Sequence, residues 1–251
     1  MKKGLVIGNS QVGALRMADA HFAPKASVEY LSLPGGNGPK LRFQDGRVLP
    51  DQAAKLIKAE PDHLANGAVL AEYDFIVFSA LGLAAPRAEN AGHIANRFQV
   101  AGFAPSIASK ADDRAFASKG FMAEAIGASL RRMAASHSLR ALAQNFKGPI
   151  YVQPFPIPNE LLAGRDDSTT FLPGRYGYAL GQFQGWYHRV QFDALADLVG
   201  TCGDHVRLLE YPDESWLTSG FTPKSYAQGQ DCWHMNDSYG ALVIGQICND
   251  L

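Results

Sequence analysis

Cysteine is scarce in this sequence, with 3 residues among 251. Cys202, Cys232 and Cys248 are odd in number and too widely spaced along the chain for a zinc ligand set. The sequence therefore predicts neither a disulfide framework nor a metal centre built on cysteine. We expect reduced thiols that pack in the structure, including Cys232, which lies inside the candidate site described below.

The chain also lacks an excess of charge of either sign. Lys and Arg number 23 and Asp and Glu number 24, so the formal net charge is -1. Disordered chains and proteins that coat nucleic acid carry a clear imbalance of charge. Arg131 and Arg132 fall on one predicted helix without an accompanying aromatic stripe. We interpret them as a solvated face and expect no nucleic-acid partner.

The start of the chain lacks a long hydrophobic run. Met1-Lys2-Lys3 resembles the charged start of a signal peptide, but the apolar stretch Leu5-Val6-Ile7 is soon interrupted by Asn9 and Ser10. The stretch is far shorter than an export signal core or a membrane span requires. We therefore expect a cytoplasmic protein without a membrane partner.

Cofactor motifs are missing as well. Gly8 and Gly13 are not followed by the Lys-Ser or Lys-Thr of a phosphate-binding loop, and the Gly-x-Gly-x-x-Gly spacing of a dinucleotide fold does not occur there. No group of His, Cys and carboxylate residues has the spacing of a metal site. We expect neither a cofactor nor a metal.

What the sequence does contain is an alternation of strand-like and helix-like segments. With 47% apolar and 19% charged residues, the chain can bury a large core. Short apolar runs, mostly closed by Gly or Pro, predict strands over residues 4–7, 28–33, 74–81, 149–154 and 205–211. Apolar spacing on one face predicts helices over residues 12–22, 51–60, 120–146, 189–199 and 238–251.

This alternation predicts an α/β fold, specifically a three-layer α/β/α sandwich around a five-stranded parallel sheet of flavodoxin-like order. We expect residues 1–251 to form a single domain, with loop insertions near 84–119 and 156–188. The second insertion is rich in glycine and aromatic residues, which suits either a binding wall or a long loop packed against the core. Both insertions would emerge at the carboxyl ends of the strands, where such sheets bind ligands.

Ser10 lies at the turn between the first predicted strand and the first predicted helix. If that strand is central in the sheet, the turn opens into the crevice where the strand order reverses. Backbone N–H groups at the helix start would then favour negative charge that develops beside the serine. Serine before an apolar helix is also a common N-cap, so Ser10 alone supports either role.

Asp231 and His234 form an Asp-x-x-His pair ahead of the last predicted helix. At this spacing the carboxylate can reach Nδ1 of the imidazole and leave Nε2 free to accept a proton from a serine hydroxyl. With Ser10 they supply the residue types of a nucleophilic triad. The alternative is a surface turn in which Asp231 caps the following helix. We expect Asn236 and Tyr239 to brace this loop and the helix start.

The two end segments resemble blocks of the SGNH (GDSL-like) hydrolases, a family named for four blocks that hold Ser, Gly, Asn and His. Gly8-Asn9-Ser10 resembles the first block, with Asn9 where the family usually has Asp, and Asp231-x-x-His234 resembles the last. The resemblance implies that Ser10, Asp231 and His234 are catalytic. It also implies a glycine after the second strand that offers its backbone N–H, for which Gly35 and Gly36 are candidates.

The third block departs from the family pattern. The family has Gly-x-Asn-Asp after the third strand, whereas this chain has Gly82-Leu83-Ala84-Ala85, so the asparagine expected in the oxyanion hole is missing there. Loss of one oxyanion donor typically costs about a hundred- to a thousandfold in turnover, which predicts a slow or differently built enzyme. Gly82 remains a candidate for the oxyanion and substrate side of the site. Candidate substitute donors are the backbone N–H groups of Ser10, Gly35 and Gly36 and the side chains of Asn37, Asn90 and Asn96.

The resemblance implies a serine esterase that works through an acyl-enzyme, with an acetylated or short-acylated sugar or similar small molecule as substrate. Acyl transfer to an acceptor alcohol is an alternative on the same triad, and an apolar, water-poor pocket would favour it. The alternative from another class is a ligand-binding protein that has kept the fold and lost turnover. The missing asparagine supports that reading. A Ser10–His234 separation too long for a hydrogen bond, with no two N–H groups converging beside Ser10, would also favour it.

Overall fold

The computed structural model of the protein describes residues 1–23, 25–33, 40–51, 58–83, 98–100, 115–163 and 180–251. Its strands are β1 (Lys2–Gly8), β2 (Ala26–Ser32), β3 (Leu41–Gln44), β4 (Arg47–Pro50), β5 (Lys58–Glu60), β6 (Ala68–Val69), β7 (Phe75–Leu81), β8 (Phe98–Val100), β9 (Ala115–Ala117), β10 (Ile150–Pro154) and β11 (Val206–Leu208). Its α-helices are α1 (Val12–Met17), α2 (Lys119–Arg132), α3 (Ala134–Asn145), α4 (Leu180–Gly200), α5 (Ser215–Ser219) and α6 (Asp237–Asp250).

The main sheet has six strands in the order β11-β10-β7-β1-β2-β5. The strands from β11 to β2 run parallel to their neighbours, and β5 pairs antiparallel with β2. The sheet is therefore mixed, and the prediction of five parallel strands alone is wrong. Residues 58–60, predicted as the end of a helix, form the extra edge strand, with Leu31 opposite Ala59. Three residues are too few to carry a periodicity signal, so pairing with β2 decides their conformation.

Helices cover both faces of the main sheet. Along β1, Leu5 and Ile7 point into one hydrophobic cluster and Val6 into the other, as the period of a strand requires. The first cluster includes Leu130, Leu139 and Leu195, from α2, α3 and α4 respectively. The second includes residues of α1 and α6. The protein thus has the α/β layering that the alternating pattern predicts.

Three predicted helices have different bounds in the structure. The helix predicted over 12–22 is shorter, since α1 ends at Met17 and a 3₁₀ turn follows over Asp19–His21. The helix predicted over 120–146 is broken at Met133, whose backbone is extended, and the Ser136 hydroxyl donates across the break to the carbonyl oxygen of Leu130 at 2.6 Å. Helix α4 begins at Leu180, so the prediction of a loop over 180–188 is wrong. Its glycines serve close packing: a Cβ at Gly185 would lie 2.0 Å from the carbonyl oxygen of Leu217.

Two small sheets were not predicted, one of β3, β4 and β6 and one of β8 and β9. Asp45 and Gly46, with φ of 51° and 71°, form the tight turn of the β3–β4 hairpin, and an Asp-Gly pair is a known signal for such a turn. Parts of the predicted insertions (84–97, 101–114 and 164–179) and of the predicted helix 51–60 (52–57) lie outside the described residues. Among the described helices, none has the length and apolar content to cross a bilayer.

Candidate active site

Ser10 lies at the carboxyl end of β1, between the ends of two neighbouring strands. In the sheet register, Gly8 of β1 lies opposite Ser32 of β2 and Ser79 of β7. The chain passes from β1 to β2 on one side and then to β7 on the other, so the strand order reverses at β1. Ser10 is exposed at this reversal, where α/β sheets leave a crevice for ligands.

The turn that carries Ser10 is held by Asn9. The side-chain oxygen of Asn9 accepts a hydrogen bond from the backbone N–H of Gln11 at 2.9 Å, and its carbonyl oxygen accepts from the Ser32 hydroxyl at 3.2 Å. Asn9 is buried. An amide thus supplies the acceptor oxygen that an aspartate would supply, without placing a charge under the serine.

Ser10, His234 and Asp231 form one hydrogen-bonded chain. Nε2 of His234 lies 2.9 Å from Oγ of Ser10, and Nδ1 of His234 lies 2.7 Å from Oδ2 of Asp231. A carboxylate only accepts, so Nδ1 carries the proton and Nε2 is the acceptor for the serine hydroxyl. The fold thereby joins residues 224 positions apart in the orientation that a nucleophilic serine needs.

Asp231 is kept ionised by its surroundings. Partial burial by itself raises the pKa of this carboxyl group, but hydrogen bonds from the His234 side chain and from the backbone N–H groups of Trp233 and His234 outweigh it and hold the pKa below its usual value. Oδ1 accepts from Trp233 N at 2.7 Å and from His234 N at 3.2 Å. The same local turn that orients the histidine also stabilises the negative charge beside it.

Two side chains that sequence reasoning missed hold the histidine loop in place. Gln11, which is buried, donates from Nε2 to the carbonyl oxygen of Trp233 at 2.8 Å. Asn159, also buried, donates from Nδ2 to the carbonyl oxygen of Asp231 at 2.8 Å. The position of Gln11, a polar residue directly after Ser10, is the sequence feature that could have identified it. Asn159 has no local pattern that marks it, because its partner lies 72 residues away.

Packing between α1 and α6 brings the two halves of the site together. Helix α1 follows the serine turn and α6 follows the histidine loop, and both cover the same face of the sheet. Their contact is so close that a Cβ at Gly240 would lie 2.1 Å from the carbonyl oxygen of Ala14. The separation of Ser10 and His234 therefore depends on how closely these helices approach each other.

The alternative roles of Ser10 and Asp231 as helix caps do not match the structure. Gln11 occupies the N-cap position of α1, and no side chain caps that helix end. Asn236 caps α6 by accepting from the Tyr239 N–H at 3.2 Å, and its Nδ2 donates to the carbonyl oxygen of Ser225 at 2.7 Å. Asn236 thus braces the loop and the helix start, and the Ser10 and Asp231 side chains contact His234 instead.

The oxyanion side of the site is described in part. Gly35, Gly36 and Asn37 lie outside the described residues, as do Asn90 and Asn96. Gly82 directly follows β7, the neighbour of β1. Among the described residues, no acceptor pairs with the backbone N–H of Ser10 or of Gly82. Both groups therefore remain candidates for stabilising negative charge beside Ser10.

The end of β7 has an unusual backbone. Ala80 has a φ of 59°, and the register between β7 and β10 shifts between Val152 and Pro154. A left-handed alanine costs roughly 1–2 kcal/mol, and β-bulges that redirect a strand end are frequent beside active sites. This irregular strand end leads to Gly82, where the resemblance places the third block.

Other chemistry is not indicated within the described residues. They contain no group of three or more His, Cys, Asp and Glu side chains arranged to hold a metal ion. Cys232 is fully buried in a small cluster with Leu162, so this thiol packs in the structure. The arrangement supports proton transfer between a serine and a histidine.

Comparison with known proteins adds no assignment: the chain matches no family model, no curated protein and no solved structure. The geometry of the site is thus the evidence on its function.

Proposed function

We propose that this protein is a serine esterase of the SGNH type that hydrolyses carboxylic esters through an acyl-enzyme on Ser10. The observation that carries the proposal is the hydrogen-bonded chain from Ser10 through His234 to Asp231, with separations of 2.9 Å and 2.7 Å. These distances satisfy the contacts required between nucleophile and base and between base and orienting carboxylate. The exposed position of Ser10 at the strand-order reversal gives an ester access to its hydroxyl.

Each half of the proposed reaction moves one proton through His234. First, Oγ of Ser10 bonds to the ester carbonyl carbon as its proton passes to Nε2; the carbon–alcohol bond then breaks and the alcohol takes that proton. Next, water bonds to the same carbon as His234 takes one of its protons. The Oγ–carbon bond breaks, Ser10 regains the proton and the acid leaves. Asp231 stabilises the imidazolium that forms in both halves.

Solvent access favours hydrolysis over acyl transfer. The His234 and Asp231 side chains retain 35% and 39% of their exposure, and Ser10 is exposed. Water can therefore reach the acyl-enzyme beside the base, whereas acyl transfer requires that water be excluded in favour of an acceptor alcohol.

The reading as a binding protein without turnover is disfavoured by the same contacts. A long Ser10–His234 separation, with no two N–H groups converging beside Ser10, would favour that reading, whereas Ser10 Oγ and His234 Nε2 lie 2.9 Å apart. The asparagine missing from the third block removes one donor, while the N–H groups of Ser10 and Gly82 remain. We expect a modest turnover number, since each oxyanion donor typically contributes about a hundred- to a thousandfold.

The test is hydrolysis of p-nitrophenyl acetate, butyrate and octanoate by the wild type and by the Ser10→Ala and His234→Ala variants. Removal of a triad nucleophile or base typically lowers kcat by about 10⁴- to 10⁶-fold, and an acyl-enzyme gives a burst of p-nitrophenol before steady state. A preference for one acyl length would indicate the size of the pocket that holds the acyl chain.

Matched controls are Ser129→Ala and His63→Ala, which alter an exposed serine and an exposed histidine away from the site. They should leave kcat within about twofold of the wild type. A wild type no faster than Ser10→Ala on every ester, with all variants folded by circular dichroism, would contradict the esterase assignment.

A further inference from the structure

A row of buried polar side chains lies on one face of α4. Gln184, His188 and Gln191 are spaced four and three residues apart, so they project from the same side of the helix. Their relative exposures are 0%, 1% and 2%. Yet within the described part of the chain, Nε2 and Oε1 of Gln184, Nε2 of His188 and Nε2 of Gln191 have no hydrogen-bond partner. Buried polar atoms are nearly always paired, so four unpaired atoms on one face call for an explanation.

This polar face of α4 lies over the same edge of the sheet as Ser10. Oε1 of Gln191 accepts from the backbone N–H of Leu83 at 2.6 Å, just beyond the end of β7. His188 contacts Tyr211, whose hydroxyl donates to the carbonyl oxygen of Phe155, just beyond the end of β10. Because β7 is the direct neighbour of β1 and β10 is the next strand, Ser10 and this polar face lie at the carboxyl ends of adjacent strands.

The hydrogen-bonding character of His188 can be deduced from its neighbour. The Tyr211 hydroxyl has one hydrogen and donates it to Phe155 at 3.2 Å, so Nδ1 of His188, 3.3 Å away, is the donor to Tyr211. Burial lowers the pKa of His188 to about 3, which leaves the ring neutral. Nε2 of His188 is therefore an unpaired acceptor without charge.

The other unpaired atoms complete a mixed set. Because Oε1 of Gln191 accepts from Leu83, Nε2 of Gln191 is a donor, and Gln184 offers a donor and an acceptor together. A carboxylate or phosphate would meet the acceptors His188 and Gln184, and an ammonium group would meet the amide donors. A hydroxyl group both donates and accepts, so several hydroxyls on one molecule fit this set best.

We infer that Gln184, His188 and Gln191 form a subsite for an uncharged polyol, which is the alcohol part of the ester. The identification of the polyol as a leaving group rests on the proposed function; the subsite itself does not. The subsite is closed to water in this structure, and opening α4 over the strand ends would let water pair with all four atoms. Their lack of partners thus lowers the free energy of that opening, through which the ligand enters.

The test compares two kinds of acetyl ester that share a six-membered ring on a methylene group. The probes are the methyl 6-O-acetyl glycosides of glucose, galactose and mannose, and cyclohexylmethyl acetate, which has no hydroxyl. Binding is measured by calorimetry with the Ser10→Ala protein, so that no turnover interferes. At least one glycoside should bind more tightly than cyclohexylmethyl acetate.

The discriminating variant is Gln184→Met, added to Ser10→Ala. Because Gln184 makes no hydrogen bond, methionine should raise Tm, while the preference for the glycoside should fall about tenfold. The matched control is Gln182→Met, an exposed glutamine on the same helix, which should change neither quantity. Equal binding of all glycosides and cyclohexylmethyl acetate, or a glycoside preference that Gln184→Met leaves intact, would overturn the subsite.

Hydrolysis of the same esters with Ser10 present separates this inference from the proposed function. Preferential binding of a glycoside, with no hydrolysis of these esters or of the p-nitrophenyl esters, would refute the esterase and leave the subsite standing. Turnover of these esters with no preference for a glycoside would retain the esterase and overturn the subsite.

Discussion

Two polar clusters at one edge of the sheet differ in how their atoms are paired. In the cluster of Ser10, Asp231 and His234, each side chain has a partner within 2.9 Å. On the polar face of α4, four buried atoms of Gln184, His188 and Gln191 have no partner among the residues that the structure describes. Each such buried atom costs roughly 1–3 kcal/mol, so the second cluster weakens the fold where the first is held firmly.

This difference in pairing agrees with separate roles for the two clusters under the two proposals above. In the proposed esterase, a nucleophile and its base must be oriented before substrate arrives, and the hydrogen bonds from Gln11 and Asn159 to the histidine loop would provide that orientation. A surface that recognises a ligand instead needs hydrogen-bonding groups that are unpaired until the ligand binds. The following predictions test this contrast, from the largest expected effect to the smallest.

Asp231→Asn should have the largest effect. The amide cannot hold Nδ1 of His234 as the protonated nitrogen with the same strength, and loss of the correct tautomer in such triads lowers kcat by about 10⁴-fold. Steady-state hydrolysis of p-nitrophenyl acetate measures this loss. Asp237→Asn, on the exposed first turn of α6, is the control and should stay near wild type. A variant Asp231→Asn with unchanged kcat would show that the paired cluster is not catalytic.

Because His188 is buried in the unpaired cluster, the stability of the protein should fall in acid. Its folded-state pKa of about 3 lies below the ordinary value of 6.5, so the unfolded chain takes up a proton first as pH falls. The contribution of neutral His188 to the free energy of unfolding is fully present above pH 6.5 and is lost as pH falls toward 3. By pH 4, His188 should account for roughly 3 kcal/mol of lost unfolding free energy.

Urea unfolding at pH 7, 5 and 4 measures that loss, and the His188→Gln variant should show a flatter dependence on pH than the wild type. His137→Gln, which changes an exposed histidine of α3, is the control. Identical pH dependence in the wild type and His188→Gln would mean that His188 is hydrated or protonated in the folded protein.

Gly240→Ala should disturb the paired cluster by forcing α6 away from α1. The added Cβ would lie 2.1 Å from the Ala14 carbonyl oxygen, and overpacking of this kind costs about 1–3 kcal/mol. Gly245→Ala, in the same helix but with no atom within 4 Å of the new Cβ, should instead stabilise by roughly 0.5–1 kcal/mol. Urea unfolding gives both values, and esterase assays should show a lower kcat for Gly240→Ala. Equal shifts in the two variants would contradict the close contact.

Gln11→Met should have the smallest effect. It removes the hydrogen bond to the Trp233 carbonyl oxygen, which positions the histidine loop, so kcat should fall about tenfold with little change in KM. Gln246→Met is the control, since it also removes a side-chain bond to a carbonyl oxygen but at Glu210, in another part of the chain. A fall in Tm without a fall in kcat would assign Gln11 to stability alone.

The local sequence pattern was sufficient to predict most strands of the parallel part of the sheet. The predicted ends of β1, β2, β7 and β10 lie within two residues of the observed ones, because short apolar runs bounded by Gly or Pro carry a strong signal. Strand β5 and the start of α4 were predicted wrongly. In β5 the partner strand decides the conformation. In α4, Gly185 and Gly181, which suggested a loop, allow close packing against Leu217 and Ser219 respectively.

The sequence by itself determined the α/β alternation and the presence of Ser10, Asp231 and His234, since both follow from residue types at short spacing. Only the tertiary structure decided that Ser10 meets His234 across 224 residues, that Gln11 and Asn159 hold the histidine loop, and that α4 carries unpaired polar atoms. Each of these depends on contacts between segments that are distant in the chain. Such contacts leave no periodic trace in the sequence, because they arise from how helices and strands pack.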